Sequence, residues 1–398
     1  MGRYASDVHN YVQQFDDCDR TAAAIGGGYY SRAVPMTPGA RLYRVRKLCA
    51  EGEFATVTQA LAQWQADKRA GTAGSLSVIE IADSATYHEA PVIVLDAFEA
   101  LHLRAADMCR PVLRMFDYQS GEHERIVVRG AAGSHLTLDG IMVAGGPLAL
   151  LGGAWGARFR VLMRHCTLVP GWDTEGMRET PWRAHPSIEV DASCVALCID
   201  HCVVGALQLH GKGGALHVSD SIVDGGHAAG LAIADQAHGA ANVCASIIRS
   251  TVIGVTQVEA LTLAENAVFL GALLACRRDM GAVRHCYLAP GSMTPQREHC
   301  QPDLTHHAGP VWRERQRLQP RYRSLRYGGE GYGKLTPDSA WEIIGGADDD
   351  AQMGAYHDLY RSPLVLDGET TATLPDNAGA MSARGGLDRS ERVDQVLA

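Results

Sequence analysis

The chain has 398 residues, 46% of them apolar, enough for one large core or two or three ordinary ones. Its formal net charge of −9 gives the molecule as a whole no footprint for nucleic acid. Aromatics make up only 6% while glycines number 43, a balance that suits many turns and small side chains better than a helical bundle.

Residues 1–53 read as an irregular N-terminal segment. Its opening, MGRYASDVHNYVQQFDDCDR, lacks the apolar run of a Sec signal peptide. No run of roughly 18 apolar residues follows, so no membrane span and no membrane partner are expected. The expected location is cytoplasmic, or outside the cell by a non-Sec route. The eleven cysteines show no paired spacing and read as reduced thiols.

FATVTQALAQWQ at Phe54–Gln65 reads as a helix. Thr56 and Gln59 form a capping box, and Val57, Ala60, Leu61 and Trp64 make one apolar stripe. The stripe is suited to cover the open end of a sheet, whose bare edge would recruit other chains. VIEIADSATYHEAPVIV at Val78–Val94 follows as strand.

The middle of the chain repeats a short phrase. LTLDGIMVAGG, VLMRHCTLVPG, LCIDHCVVG, LHVSDSIVDG, SIIRSTVIG, LTLAENAVFLG and VRHCYLAPG align with Ile141, Cys166, Cys202, Ser221, Ser250, Asn266 and Cys286 in one column. The phrase is apolar-x-apolar-x-x-small-x-apolar, ending near Gly. Alternation means strand. Leu197 and Ile199 face one way and Cys198 and Asp200 the other; a turn at His201 returns Cys202 to the inside. Hairpin turns are scarce between these strands, which favours stacked rungs of a solenoid over a sandwich. Small residues suit a column stacked at ~4.8 Å.

This pattern resembles the right-handed parallel β-helix of pectin-lyase-like proteins of bacteria. In those proteins Asn, Ser or Cys ladders occupy a bend, a helix like Phe54–Gln65 caps the entry, and a Tyr-x-Glu strand begins the first rung. ADDDAQMGAYHD at Ala347–Asp358 looks like their closing rung. The resemblance covers 54–358 and implies an all-β fold: a right-handed parallel β-helix with an N-terminal capping helix and an irregular C-terminal extension. Residues 359–398 are polar and read as a flexible tail. The fold hosts lyases, hydrolases, esterases and non-enzymes, so it carries little about function.

Three stretches read as insertions at one corner: Trp172–Pro186, His227–Asn242 and Ser292–Leu304. Insertions on one face of a repeat protein are often its binding face. Trp172 and Trp182 could stack on sugar rings, with Arg183, His238 and Arg297 as further substrate contacts. Asp173, Glu175 and His185 are the candidate catalytic groups, since glycoside chemistry needs two carboxylates within several ångströms. A second possibility lies on the outward ridge. Asp139, Arg164, Asp200, Ser219 and Arg284 fall in one column, and His165, His201, Asp220, Glu265 and His285 in the next. Such ridges can carry acid–base groups, and a solvated face gives the same pattern.

Cys-x-x-Cys is absent, and His and Cys neighbours on a strand diverge, so no metal is expected. No cofactor motif of the GxGxxG or GxxxxGK[ST] kind occurs. Val311–Tyr327 carries six Arg against one Glu and reads as a strap paired with the acidic surface. The leading function is recognition of a carbohydrate polymer, a polysaccharide or glycan, with cleavage by a lyase or hydrolase as its extension. The alternative is a non-catalytic structural or adhesive module with protein partners in an assembly.

Overall fold

The computed structural model describes residues 25–26, 39–115, 124–152, 158–171, 185–235, 239–304 and 309–357. The described residues form a parallel β-helix. Val195–Asp200, Val203–Gly205 and Leu207–Leu209 make one turn. Gly214–Ser219 then lies parallel beside Val195–Asp200, one rung on. Repetition stacks three faces. The first runs from Arg41–Val45 to Gln296–Glu298, the second from Thr86–His88 to Tyr287–Leu288, and the third from Val92–Leu95 to Leu273–Arg277. Every strand-to-strand pairing along these faces is parallel.

Val, Ile and Leu on alternate positions of all three faces point inward into one continuous apolar column from Val45 to Leu288. The long strand Val255–Glu265 turns the corner between the third and first faces without a break.

The entry cap is the helix α1, Val57–Arg69. Val57, Ala60, Leu61 and Trp64 are buried on the end of the column, as the stripe predicts. Thr56 Oγ1 accepts from the Gln59 amide at 3.1 Å, while the Gln59 side chain returns to the Ala55 amide rather than to Thr56 itself. Glu89 adds a second cap from the first rung, accepting from the Val57 and Thr58 amides at 2.9 and 2.8 Å.

Two boundaries differ from expectation. The solenoid begins before residue 54: Arg41–Val45 pairs in register with Ser77–Ile81, and Tyr43 donates to Asp67 of α1 at 2.7 Å. Nor do residues 347–357 stack as a closing rung. They and residues 318–346 lie back along the outer side of the second face as a strap. Tyr327, Tyr332, Ala355 and Tyr356 cover Val203, Ile222 and Ile253, while Ile343 and Met353 cover Val268 and Tyr287. The physical reason is the outward apolar residues of that face, which need a cover. The strap includes two short helices, α2 Val311–Arg317 and α3 Trp341–Ile344. Its Arg317 and Arg321 pair with Glu314, Glu342 and Asp338 of the strap itself, not with the solenoid. Asp358 and the 359–398 tail lie outside the described residues.

Candidate functional site

The bend between the first and second faces explains the repeated phrase. Gly140, His165, His201, Asp220, Arg249, Asn266, His285 and His299 all have positive φ there. Gly, Asn, Asp and His tolerate that left-handed conformation best, which is why His recurs. The bend leaves the following amide without a ladder partner. The next rung supplies one: the Cys166 amide donates to Cys202 Sγ, the Cys202 amide to Ser221 Oγ and the Ser221 amide to Ser250 Oγ, at 3.3, 2.9 and 3.2 Å. Each acceptor donates in turn to the carbonyl two residues back.

Two alignments shift. Asn266 occupies the bend rather than the inward column, which Ala267 fills. Glu265 therefore moves back one column, in register with Arg284. Ser292–Leu304 is not an insertion. Met293 bridges to Leu274 on the third face, Gln296–Glu298 continues the first face, and Glu298-His299-Cys300 is a fourth bend of the His-Cys kind. Pro295 and the brevity of its strand hid this rung; the His-Cys pair was the signal that could have found it. His227–Asn242 likewise contains the third-face strand Leu231–Ala234.

Trp172, Asp173, Glu175, Trp182, Arg183 and His238 lie outside the described residues. His185 is half-buried just ahead of the third-face strand Ile188–Asp191. Arg297 is no loop contact. Its register partner is the core residue Val283, and its guanidinium turns to the Ser292 carbonyl and Thr294 Oγ1 at 2.6 and 2.8 Å. The structure thus does not bring His185 and Arg297 together through a shared loop edge.

The outward ridge, by contrast, is assembled. In register along the first face run Arg44, Glu80, Arg104, Asp139, Arg164, Asp200 and Ser219. Charges alternate from rung to rung as far as Asp200. Arg104 reaches Glu80 at 2.8 Å, and Arg164 stands 3.8 Å from Asp200. Part of the ridge is withdrawn from solvent: Glu80, Asp139, Ser219 and Asp220 are buried, while Arg44 and Arg284 are exposed.

The ridge is densest on the rungs of Arg164 to Arg249, where it forms a largely buried seam. Asp200 Oδ1 accepts from Ser219 Oγ at 2.8 Å and from His201 Nδ1 at 2.9 Å. Burial pushes its carboxyl up, but His201, Ser219 and Arg164 outweigh that and hold it well below the usual carboxylate range. Asp220 is gripped by Arg249 through two bonds of 2.7 Å. Arg249 is the one bend residue among those described that is not Gly, Asn, Asp or His. A long side chain in that conformation stores about 1–2 kcal/mol, and such strain gathers at functional sites.

Beside this seam stands His217, in register with Cys198 on one side and Ser246 on the other. It is 6% exposed, and its Nδ1 has no hydrogen-bond partner among the described residues. Burial lowers its pKa, against the pull of Asp200 and Asp220, so the ring is kept neutral. Burial pushes the Cys198 thiol up to about 12, which makes it a poor nucleophile. Four rungs earlier in the same outward column, His102 is also 6% exposed, with Nε2 unpartnered and 3.9 Å from Asp139.

Asp200, His201 and Asp220 hold ligand-type atoms within 4.8 Å of one another, as do Asp348, Asp349 and His357 on the strap. In the seam the positive charge a cation would bring is already supplied by Arg249 and Arg164. The seam sets an ionised carboxylate, guanidinium forks and a neutral imidazole on neighbouring rungs.

No family model, curated protein or solved structure matches the chain.

Proposed function

We propose that this protein recognises a carbohydrate polymer along the seam between its first and second faces, with cleavage of that polymer as the associated chemistry. The observation that carries the reading is His217: a buried outward imidazole with an unpartnered nitrogen, next to the ionised Asp200 and the strained Arg249. A polymer lying along the solenoid axis meets a polar group at every rung, ~4.8 Å apart. Carboxylates, guanidinium groups and imidazoles are the partners that sugar hydroxyls need. For cleavage, Asp200 would stabilise developing positive charge and His217 would carry the proton.

A structural or adhesive role has its own support, because the ridge charges pair with one another across rungs and need no ligand to be satisfied. The experiment that separates the two is turnover on a panel of acidic and neutral polysaccharides. New reducing ends and ultraviolet-absorbing unsaturated ends are followed together. A lyase gives both signals and a hydrolase only the first. His217→Ala and Asp200→Asn are each expected to lower turnover at least a hundredfold while the melting temperature of His217→Ala stays within a few degrees. Silence and absence of binding across the panel would leave the module reading, and light scattering and co-purification would then look for its partner.

A further inference from the structure

α2 buries none of its seven residues. Trp312 is 61% exposed and Val311 44%. A helix this short has little stability of its own and normally owes its order to a packed face. Trp341 of α3 is 45% exposed, and Arg317 joins the two helices by bonding both Glu314 and Glu342. The two indoles thus belong to one small unit.

The strap's arginines divide into two sets. Arg317 and Arg321 are paired with carboxylates. Arg313, Arg315, Arg323 and Arg326 meet no carboxylate among the described residues, and Arg313 lies 5.3 Å over the Trp312 ring. The set follows the solenoid axis. Tyr322 packs beside Val268 and Tyr287, whereas Tyr327 packs beside Ile222 and Ile253, on earlier rungs. All four arginines sit on a molecule whose net charge is −9. A cationic row with no carboxylate partner among the described residues, on an acidic protein, is a site of charge complementarity for an outside partner.

We propose that this strap surface is a second binding site, for an anionic polysaccharide. Guanidinium forks match carboxylate or sulfate groups on the rings, and the exposed indoles stack on the apolar sugar faces between them. Four arginines on so acidic a molecule suit one charge per ring better than the closely spaced phosphates of a nucleic acid strand. The proposal rests on the carbohydrate reading above and narrows it to a charged polymer held at a place distinct from the seam.

The test uses the full chain, with dextran sulfate and dextran as charged and uncharged forms of one backbone, and oligothymidylate as the nucleic acid. Affinity is measured by calorimetry at two salt concentrations. Dextran sulfate is expected to bind, weakening with salt, and dextran at least tenfold more weakly. The combined Arg313→Ala, Arg315→Ala, Arg323→Ala and Arg326→Ala variant should lose about tenfold or more in dextran sulfate affinity. Trp312→Ala should lose several-fold. Both keep the wild-type melting temperature, because these side chains are exposed. Equal binding of dextran and dextran sulfate, or an arginine variant that binds like the wild type, overturns the proposal and leaves the seam untouched. So does oligothymidylate binding more tightly than dextran sulfate. The seam reading fails separately, on the polysaccharide panel.

Discussion

At the bends, a side chain supplies the hydrogen bond that the ladder cannot. Arg-His-Cys recurs because three positions make three demands: an outward charge for the ridge, a residue at ease with positive φ, and a small acceptor for the neighbouring rung's amide. Ser221 shows the last demand most cleanly, accepting from the Cys202 amide at 2.9 Å and donating to the Ser219 carbonyl at 2.6 Å. Ser221→Ala leaves that buried amide unpaired and is expected to cost about 1–3 kcal/mol in urea denaturation. Ser221→Cys, which keeps an acceptor, should cost clearly less. Equal losses would mean that the column is mere packing. This layer was legible in the sequence wherever the column residue is Cys or Ser. It misled at Asn266, whose polar side chain mimics Ser. Asn tolerates the left-handed bend, and its side chain is spent on Asp348 of the strap at 2.6 Å.

α1 was readable because a 3.6-residue stripe and a capping box are local signals. What local reading could not give is Glu89, which arrives from the first rung to hold two amides of the helix N-terminus. Those amides carry the positive end of the helix dipole, so an ionised carboxylate suits them. Glu89→Ala should destabilise the protein by about 1–2 kcal/mol, and Glu89→Gln by less. Hydrogen exchange of the Val57 and Thr58 amides should rise in the alanine variant; unchanged protection there would contradict the cap. Rungs without strong alternation were harder to see. Gln296–Glu298 is three exposed polar residues and carries no apolar period, so its place on the first face follows only from pairing with Ala282–Arg284. The seam was legible as two columns of charge, but its burial was not. Alternation tells which way His217 points, not that its Nδ1 is left without a partner.

Over the whole molecule, buried titratable groups tie stability to pH. Burial, with Arg104 and Arg164 nearby, lowers the His102 pKa to about 4. Between the ordinary histidine value near 6.5 and that figure, the unfolded chain binds a proton that the folded chain refuses. Stability is therefore full above about 6.5 and falls as pH drops through the window, by about 3 kcal/mol from this residue. His217 acts in the same direction, and Asp200 extends the loss to lower pH because its carboxyl must stay ionised. Denaturation at pH 7 and pH 5 should show the decline, and His102→Gln should flatten it. An identical slope in the variant would exclude His102 as its source. The strap adds a different constraint. Tyr332 meets Asp224 across 108 residues of chain, and Asp348 meets Asn266 across 82. Rungs can zip onto their neighbours one at a time, but a latch between such distant partners can close only after the surface it grips exists. Ile222, Ile253 and Val268 depend on that latch for their cover. With the strap closed, the apolar outer side of the second face is withheld from other molecules of its kind.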